Sequence, residues 1–236
     1  MLPSRLCLPY TIGHRHTMPL RETGMRTGIL RCTALLLLLA AGCKKESDDV
    51  MKPLHRAVAN GDANEVQFLL RQGADVDAKD SSGKTPLLIA ASYRRHPSLV
   101  ASEGPKDKEM VSLLLDHGAY INATDKWGYS VLHRALDSRA VDVAELLLAR
   151  GAYVRTQNQS GETPLHEAAG HGWPKLVKRL IAKGADVNAA ARNGDTPLLC
   201  TILGRSYNEY DRYPLDPNHL EVVRLLIARG ADINAI

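Results

Sequence analysis

The sequence predicts an all-α repeat solenoid, in which copies of one helical unit stack on each other. A phrase of the form Gly-Ala-x-Val/Ile-x occurs five times, and its glycines lie 45, 33, 33 and 46 residues apart. A fixed period of this length indicates stacked repeats, so the unit has 33 residues and two copies carry about a dozen more. The phrases begin at Gly73, Gly118, Gly151, Gly184 and Gly230.

The copy at residues 162–194 is the fullest and shows how each unit folds. Thr163 is a typical N-cap, and Pro164 suits the first helical turn because its missing N–H would find no partner there. Gly172 permits a left-handed turn between two helices, and Gly184 ends the second helix. The second helix carries an apolar stripe that a single copy cannot bury, formed by Leu176, Val177, Leu180 and Ile181. Neighbouring copies therefore have to stack.

The units begin with similar sequences, and these sequences resemble the ankyrin repeat. The nearly verbatim matches are Thr85-Pro86-Leu87, Thr163-Pro164-Leu165-His166 and Thr196-Pro197-Leu198, and the weaker ones are Pro53-Leu54-His55 and Ser130-Val131-Leu132-His133. The resemblance covers residues 50–236 and implies five helix–turn–helix units joined by β-hairpin-like loops. The repeats fall at about 50–83, 84–128, 129–161, 162–194 and 195–236. Stacks of this kind usually bind a partner rather than catalyse a reaction.

Three positions depart from the family pattern. Arg139 and Asn218 stand where the family has the glycine between the two helices of a unit, and Arg155 replaces the usual Asn or Asp. Because asparagine tolerates the left-handed conformation, we expect Asn218 to turn the chain as a glycine would. An arginine adopts that conformation less easily, so Arg139 predicts local strain or a reshaped turn.

Both insertions lengthen the connection between the two helices of a unit, at about residues 93–106 and 205–217. Packed helices lie ~8–10 Å apart, so the two loops are expected ~30 Å from each other on one edge of the stack. The second insertion contains Tyr207, Tyr210 and Tyr213. Two interpretations remain open. The loop contacts a ligand, because tyrosine offers a large contact area at low entropy cost, or it caps the end of the stack near Leu203.

Residues 25–42 read as a lipoprotein signal peptide. A basic segment precedes an apolar run of about ten residues and then small residues before Cys43. The run is shorter than the ~20 residues that span a bilayer. Its end, Leu39-Ala40-Ala41-Gly42-Cys43, resembles a bacterial lipobox. That resemblance implies cleavage before Cys43, its lipidation, and anchoring on the periplasmic side of a Gram-negative bacterial membrane.

Residues 43–49 then form a charged tether, and the ankyrin-like domain occupies residues 50–236. The lysine after the lipidated cysteine, Lys44, favours the outer membrane by resemblance to sorting rules in enteric bacteria. Residues 1–24 fit no export signal. They are interpreted as a mistranslated segment upstream of the true start codon at Met25, with a bipartite leader as the alternative.

Charge and cysteine count exclude nucleic-acid binding and disulfide stabilisation. Five arginines and one glutamate precede Lys44, so the 30 basic and 26 acidic residues of the chain leave 25 of each in the mature part. Without a net basic field, nucleic-acid binding is not expected. Cys200 is the one thiol left after leader removal and lipidation, so no intrachain disulfide is expected. It is interpreted as a small helix residue, with a reactive or intermolecular thiol as the alternative.

The histidines and glycines do not predict catalytic chemistry. His55, His133 and His166 share one repeat position, and the ankyrin resemblance implies that they hydrogen-bond between neighbouring loops. The chain has no His-x-x-x-His or Cys-x-x-Cys spacing, no nucleophile elbow and no phosphate-binding loop. We therefore predict no metal, no cofactor and no enzyme activity.

The predicted binding surface consists of the hairpin tips and the exposed, concave side of each unit's first helix. Lys126-Trp127-Gly128-Tyr129 places two aromatic residues and a lysine at one tip, where aromatic residues are typical interface anchors. The alternative is that Trp127 packs on a neighbouring hairpin. The predicted protein-binding residues are Lys126, Trp127, Tyr129, Arg192 and Asn193 at tips, Arg56, Arg134 and Glu167 on first helices, and Tyr207, Tyr210 and Tyr213 in the second insertion. Ile89 and Cys200 occupy the same position in their first helices as Arg56, Arg134 and Glu167 do in theirs.

Together these features predict a monomeric, lipid-anchored periplasmic module that binds protein. Its partner is expected to be a periplasmic enzyme or a secreted toxin, which the module masks or protects as an immunity protein would. The alternative is a structural tether or scaffold for components of the cell envelope.

Overall fold

The computed structural model describes residues 52–92, 107–203 and 216–234. These ranges contain ten α-helices in five consecutive pairs, units 1 to 5, and no strand beyond one antiparallel bridge between Thr124 and Ser130. The first helices of the units are α1 (Pro53–Ala59), α3 (Pro86–Ala91), α5 (Val131–Asp137), α7 (Pro164–Gly170) and α9 (Pro197–Leu203). The second helices are α2 (Ala63–Arg71), α4 (Asp107–Asp116), α6 (Val141–Ala149), α8 (Pro174–Ala182) and α10 (Pro217–Ala228). The predicted all-α solenoid of five units is confirmed.

The units stack as two parallel layers of helices. The first helices pack on each other in chain order from α1 to α9, and α4, α6, α8 and α10 form the second layer. The predicted apolar stripe of α8 lies between these layers, where Leu176, Val177 and Leu180 are at most 1% exposed. Burying a side chain of this size stabilises the fold by about 1.5–3 kcal/mol. Alanines keep α7 slim at the same interface, since Ala168 and Ala169 are fully buried.

The repeated histidine ties the start of a first helix to the next loop. In unit 4 the backbone N–H of Thr163 donates to His166 Nδ1 at 3.0 Å, so the ring proton lies on Nε2 and is donated to the Asp195 carbonyl at 3.1 Å. His133 makes the same pair of bonds with Ser130 and with the Glu162 carbonyl. The predicted structural role of these histidines is confirmed. Burial lowers the pKa of His166, although the carbonyl bonds and Asp195 oppose this.

The turn between the two helices of a unit needs a residue in the left-handed conformation, which is Gly172 in unit 4 and Arg139 in unit 3. Gly172 has φ of 66°, as predicted for the left-handed turn. Arg139 adopts the same conformation with φ of 58°, and it is the one non-glycine residue with positive φ in the described ranges. The turn of unit 3 is therefore kept rather than reshaped. A non-glycine residue in this region carries strain of about 1–3 kcal/mol.

The prediction that Asn218 turns the chain is wrong. Asn218 lies in the first turn of α10, which begins at Pro217. Asp216 caps this helix by accepting a bond from the His219 backbone N–H at 2.9 Å. Position 218 is helical, so it does not need a residue that tolerates the left-handed conformation.

The membrane prediction concerns the front of the chain, which lies outside the described residues together with Cys43. Among residues 52–92, 107–203 and 216–234, no helix combines the length and the apolar character needed to cross a bilayer.

Candidate functional site

Four loops between successive units form a row of tips. Their tips are bonded through backbone groups: Lys126 N–H donates to the Ser82 carbonyl at 3.3 Å, and Gln159 N–H to the Trp127 carbonyl at 2.9 Å. The third and fourth tips are bonded in the same way, since Arg192 N–H donates to the Ser160 carbonyl at 2.8 Å. We call the tip face the set of residues 79–84, 124–129, 157–162 and 190–195, with the first-helix positions Arg56, Ile89, Arg134, Glu167 and Cys200.

Close approach between tips explains their glycines. A Cβ atom at Gly161 would lie 2.9 Å from the Arg192 nitrogen, and one at Gly128 would lie 3.2 Å from the Gln159 nitrogen. Both glycines also have positive φ. A larger residue at either position would push neighbouring tips apart. The row of tips is therefore a continuous and firmly bonded surface.

Each of the first three tips is held by one acidic or amide side chain. Asp125 Oδ1 accepts bonds from the backbone N–H groups of Trp127 and Tyr129, both at 3.0 Å. Asp80 and Asn158 accept equivalent pairs in their own tips. Sequence reasoning missed these residues, yet each stands three positions before a tip glycine, and that spacing is a usable signal.

The fourth tip is built differently. Ala191 stands at the position of these acceptors. Asn193 replaces them by accepting a bond from the Asp195 backbone N–H at 3.1 Å. Its amide nitrogen also donates to Asp195 Oδ2 at 2.6 Å. Asn193 was predicted to contact a partner, and here it also holds the tip.

Aromatic and cationic side chains of unit 3 form a cluster at the second tip. The Lys126 ammonium lies 4.5 Å from the centre of the Trp127 ring, and the Arg134 guanidinium carbon lies 4.1 Å from the Tyr129 ring centre. Arg134 also lies 6.0 Å from Trp127. The structure thus brings together four of the predicted binding residues. Trp127 remains 40% exposed, so it offers an apolar surface to a partner.

Arg134 serves mainly to hold this cluster in place. Its Nε and Nη2 atoms donate to Asp125 Oδ2 at 3.0 and 2.5 Å. The Asp125 side chain is fully buried, and that of Arg134 is 16% exposed. Because Oδ1 holds the tip and Oδ2 binds the arginine, one carboxylate connects α5 to the aromatic residues. The sequence predicted Arg134 as a contact residue without this role.

Two other first-helix positions are buried. Glu167 is 4% exposed, and burial raises its pKa to about 7, with Asp137 adding to the rise and Arg134 opposing it. Cys200 is 5% exposed, and burial raises its pKa to about 12. A thiol with that pKa stays protonated, which favours the interpretation of Cys200 as a small helix residue. Neither side chain offers contact surface to a partner.

The remaining predicted residues divide into two groups. Arg56, Lys126, Arg192 and Asn193 are exposed on the tip face, as predicted. Tyr207, Tyr210 and Tyr213 lie outside the described residues, as does most of both insertions. Within the described ranges, no group of three or more His, Cys, Asp or Glu side chains could hold a metal ion. The arrangement is suited to binding through apolar and charged contacts.

Comparison with known proteins places the repeats in a family. A family model described as "Ankyrin repeats" matches the chain three times, over residues 27–102, 96–158 and 150–236. Neurogenic locus notch homolog protein 1 of Xenopus tropicalis is 35% identical over 136 residues, or 56% of this chain and 5% of that protein. Ankyrin repeat and SOCS box protein 6 of Mus musculus is 33% identical over 112 residues, or 47% of this chain and 24% of that protein.

A bacterial relative shows the same kind of likeness. An ankyrin repeat-containing protein of Treponema pallidum (strain Nichols) is 31% identical over 113 residues, or 48% of this chain and 34% of that protein. The alignments therefore span between 5% and 34% of these three relatives. The likeness concerns the repeats and not the remainder of those proteins.

Proposed function

The chain belongs to the ankyrin-repeat family, and from that premise we propose that it is a lipid-anchored periplasmic module that masks or protects a partner enzyme or toxin. Ankyrin repeats form modules for protein–protein interaction, and this coarser assignment follows from the family. The proposal adds the anchor, the compartment and the protective role. It assigns stoichiometric binding rather than turnover to the chain.

The observation that carries the proposal is the bonded tip cluster with Trp127 exposed at its surface. The tip around Trp127 is fixed by Asp125, and its carbonyl is bonded to the next tip. A surface that is already ordered loses little conformational entropy when a partner docks, which favours tight association. Tight, stoichiometric association is what masking a toxin or an enzyme requires.

The anchor and compartment rest on the front of the sequence. The lipobox-like ending at Cys43 and the short apolar run before it support export and lipidation. The linker after Cys43 reaches ~20 Å when fully stretched, so the repeats would work close to a membrane surface. We propose the outer membrane, because Lys44 follows the lipidated cysteine.

A capture experiment tests the binding role. The full chain, tagged and expressed in its own organism, is recovered with its partners beside two variants, Trp127→Ala and Tyr153→Ala. Tyr153 is a matched control because it is 60% exposed and lies in the loop after α6, outside the residues of the tip face. We expect one stoichiometric partner that is lost with Trp127→Ala and kept with Tyr153→Ala. A partner kept by the first variant and lost by the second would overturn the proposal.

Labelling tests the anchor. Cells grown with a clickable fatty acid should label the full chain, and Cys43→Ser should abolish both the label and recovery in the membrane fraction. A labelled Cys43→Ser chain, or an unlabelled wild-type chain in the soluble fraction, would contradict lipidation at Cys43. The scaffold alternative predicts crosslinks to several envelope components instead of one soluble partner.

A further inference from the structure

The tip face carries cations that have no carboxylate partner among the described residues. Arg56, Lys126 and Arg192 are exposed and form no ion pair with any described residue. At the first tip, Lys79 is exposed and Lys84 is half-buried, and neither forms an ion pair with a described residue. These five residues are called the open cations below. They span the described units from α1 to the loop before α9.

The acids of the same face are engaged with groups of the chain itself. Asp125 holds its tip and Arg134, and Asp80 accepts two backbone bonds at 2.8 Å in the first tip. Glu162 and Asp195 accept bonds from neighbouring asparagine amides. Asp137 lies 3.7 Å from the Arg134 guanidinium. The acids of the tip face are therefore held by bonds within the chain, whereas the open cations form no ion pair with a described residue.

The layer of second helices has a different charge arrangement. Three cations there pair with acids of neighbouring units: Arg150 with Asp116 at 2.9 Å, Lys178 with Glu221 at 3.0 Å, and Arg179 with Glu145. Other exposed cations of this layer form no ion pair with a described residue, and they are Arg71, Lys108, Lys175, Lys183, Arg224 and Arg229. Exposed acids remain on this side without a cation partner among the described residues, and they are Glu65, Glu109 and Asp142. An acidic partner would therefore meet open charges of both signs on this layer, whereas the charges left open on the tip face are cations.

We infer that the tip face binds an acidic segment or surface of a partner protein, whose carboxylates pair with the open cations. This inference rests on the proposed function, because it names the chemistry of the partner that the same face would bind. Lys126 is the best-placed cation, since it lies against the Trp127 ring. A carboxylate that binds there is partly shielded from water by the ring, which strengthens a pair that would contribute little when fully exposed.

The spacing of the open cations and the charge balance of the chain favour a protein partner over a nucleic acid. The open cations are distributed over several units, with apolar and neutral residues such as Ile89 and Gln159 between them. The predicted mature chain has equal numbers of basic and acidic residues, so no long-range field draws a phosphate polymer. A phosphate backbone is recognised mainly through dense positive charge. Carboxylates interspersed with apolar side chains match the tip face better.

A peptide titration tests the inference. The full chain in non-ionic detergent is titrated into a fluorescent peptide of alternating glutamate and phenylalanine, and into a second peptide with glutamine at every glutamate. We expect the glutamate peptide to bind about tenfold more tightly, which corresponds to 1.4 kcal/mol. Its affinity should fall as salt rises, because exposed charges are screened. Equal affinity for both peptides would overturn the inference.

Charge-matched variants locate the site. Lys126→Gln with Arg192→Gln should weaken the glutamate peptide about tenfold, whereas Lys175→Gln with Lys183→Gln removes the same charge from the second-helix layer and should change little. Equal losses in both variants would indicate general attraction and would overturn the assignment. Displacement of the peptide by duplex DNA at equal charge concentration would do the same. Loss of the cellular partner with Trp127→Ala while no acidic peptide binds would leave the proposed function standing and remove this inference.

Discussion

Two arginine–aspartate pairs show how the two layers of this protein differ. On the tip face, Arg134 binds Asp125, whose side chain is fully buried. In the layer of second helices, Arg150 binds Asp116, and the two side chains are 43% and 58% exposed. The chemical groups are the same, but the first pair fixes a loop and the second lies in water. The surface proposed for binding is therefore held by a buried ion pair, whereas the corresponding pair of the second-helix layer is open to solvent.

The largest expected effect comes from breaking the buried pair. Asp125→Ala leaves Arg134 without its partner and frees the amides of the second tip, so the free energy of unfolding should fall by about 3–5 kcal/mol. Urea denaturation of the full chain measures this change. The matched control, Asp116→Ala, should cost at most about 1 kcal/mol because its pair is exposed. Similar losses in both variants would remove the distinction between the two layers.

A smaller effect of opposite sign is expected at the buried acid of unit 4. The pKa of Glu167 in the folded state is about 7, raised from its ordinary value of 4.5, so the native state binds the proton more tightly than the unfolded state. Ionisation therefore destabilises the fold progressively between pH 4.5 and 7, and the full penalty persists at higher pH. Glu167→Gln should raise stability by up to about 3 kcal/mol above pH 7.

The control for this prediction is the pH dependence itself. Below pH 4.5 the carboxyl is protonated in both states, so the gain from Glu167→Gln should vanish. His166, whose pKa is lowered, contributes stability that is present above its ordinary pKa of 6.5 and declines as pH falls through that value. This contribution of His166 is the same in the wild-type protein and in the Glu167→Gln variant, so it cancels in the difference between their free energies of unfolding. A gain that is equal at all pH values would contradict the ionisation of Glu167 as its cause.

The smallest effect concerns the start of the first unit. His55 Nε2 donates to the Lys84 carbonyl, as the corresponding histidines do in their units, but its Nδ1 is buried without a hydrogen-bond partner in the described structure. Lys52 stands where units 3 and 4 have Ser130 and Thr163 as caps. Lys52→Thr supplies the missing hydroxyl and should stabilise the protein by about 1 kcal/mol in urea denaturation. Lys52→Ala lacks that hydroxyl, so an equal gain in this control would refute the explanation.

The fold could be predicted because its signals are local and repeated. The caps, the turn at Gly172 and the bridging histidines depend on residues within one unit and its next loop, and each recurs at a fixed period. Asn218 shows the limit of that reasoning. After the insertion, position 218 lies inside α10, and the repeat period alone could not reveal where that helix begins.

The candidate site could be predicted in part. The cluster of Lys126, Trp127 and Tyr129 forms where the sequence placed it. The burial of Glu167 could not be predicted, because its position equals that of exposed Arg56 and depends on neighbouring helices. The pairing of Arg134 with Asp125 depends on how the tip folds back on α5, which spacing does not encode.

Hydrogen–deuterium exchange of the full chain, alone and with its captured partner, locates the surface that the partner covers. Binding at the tip face predicts slower exchange in the tips at 124–129 and 190–195 and unchanged exchange in α6. Protection of α6 with unchanged tips would contradict binding at the tip face.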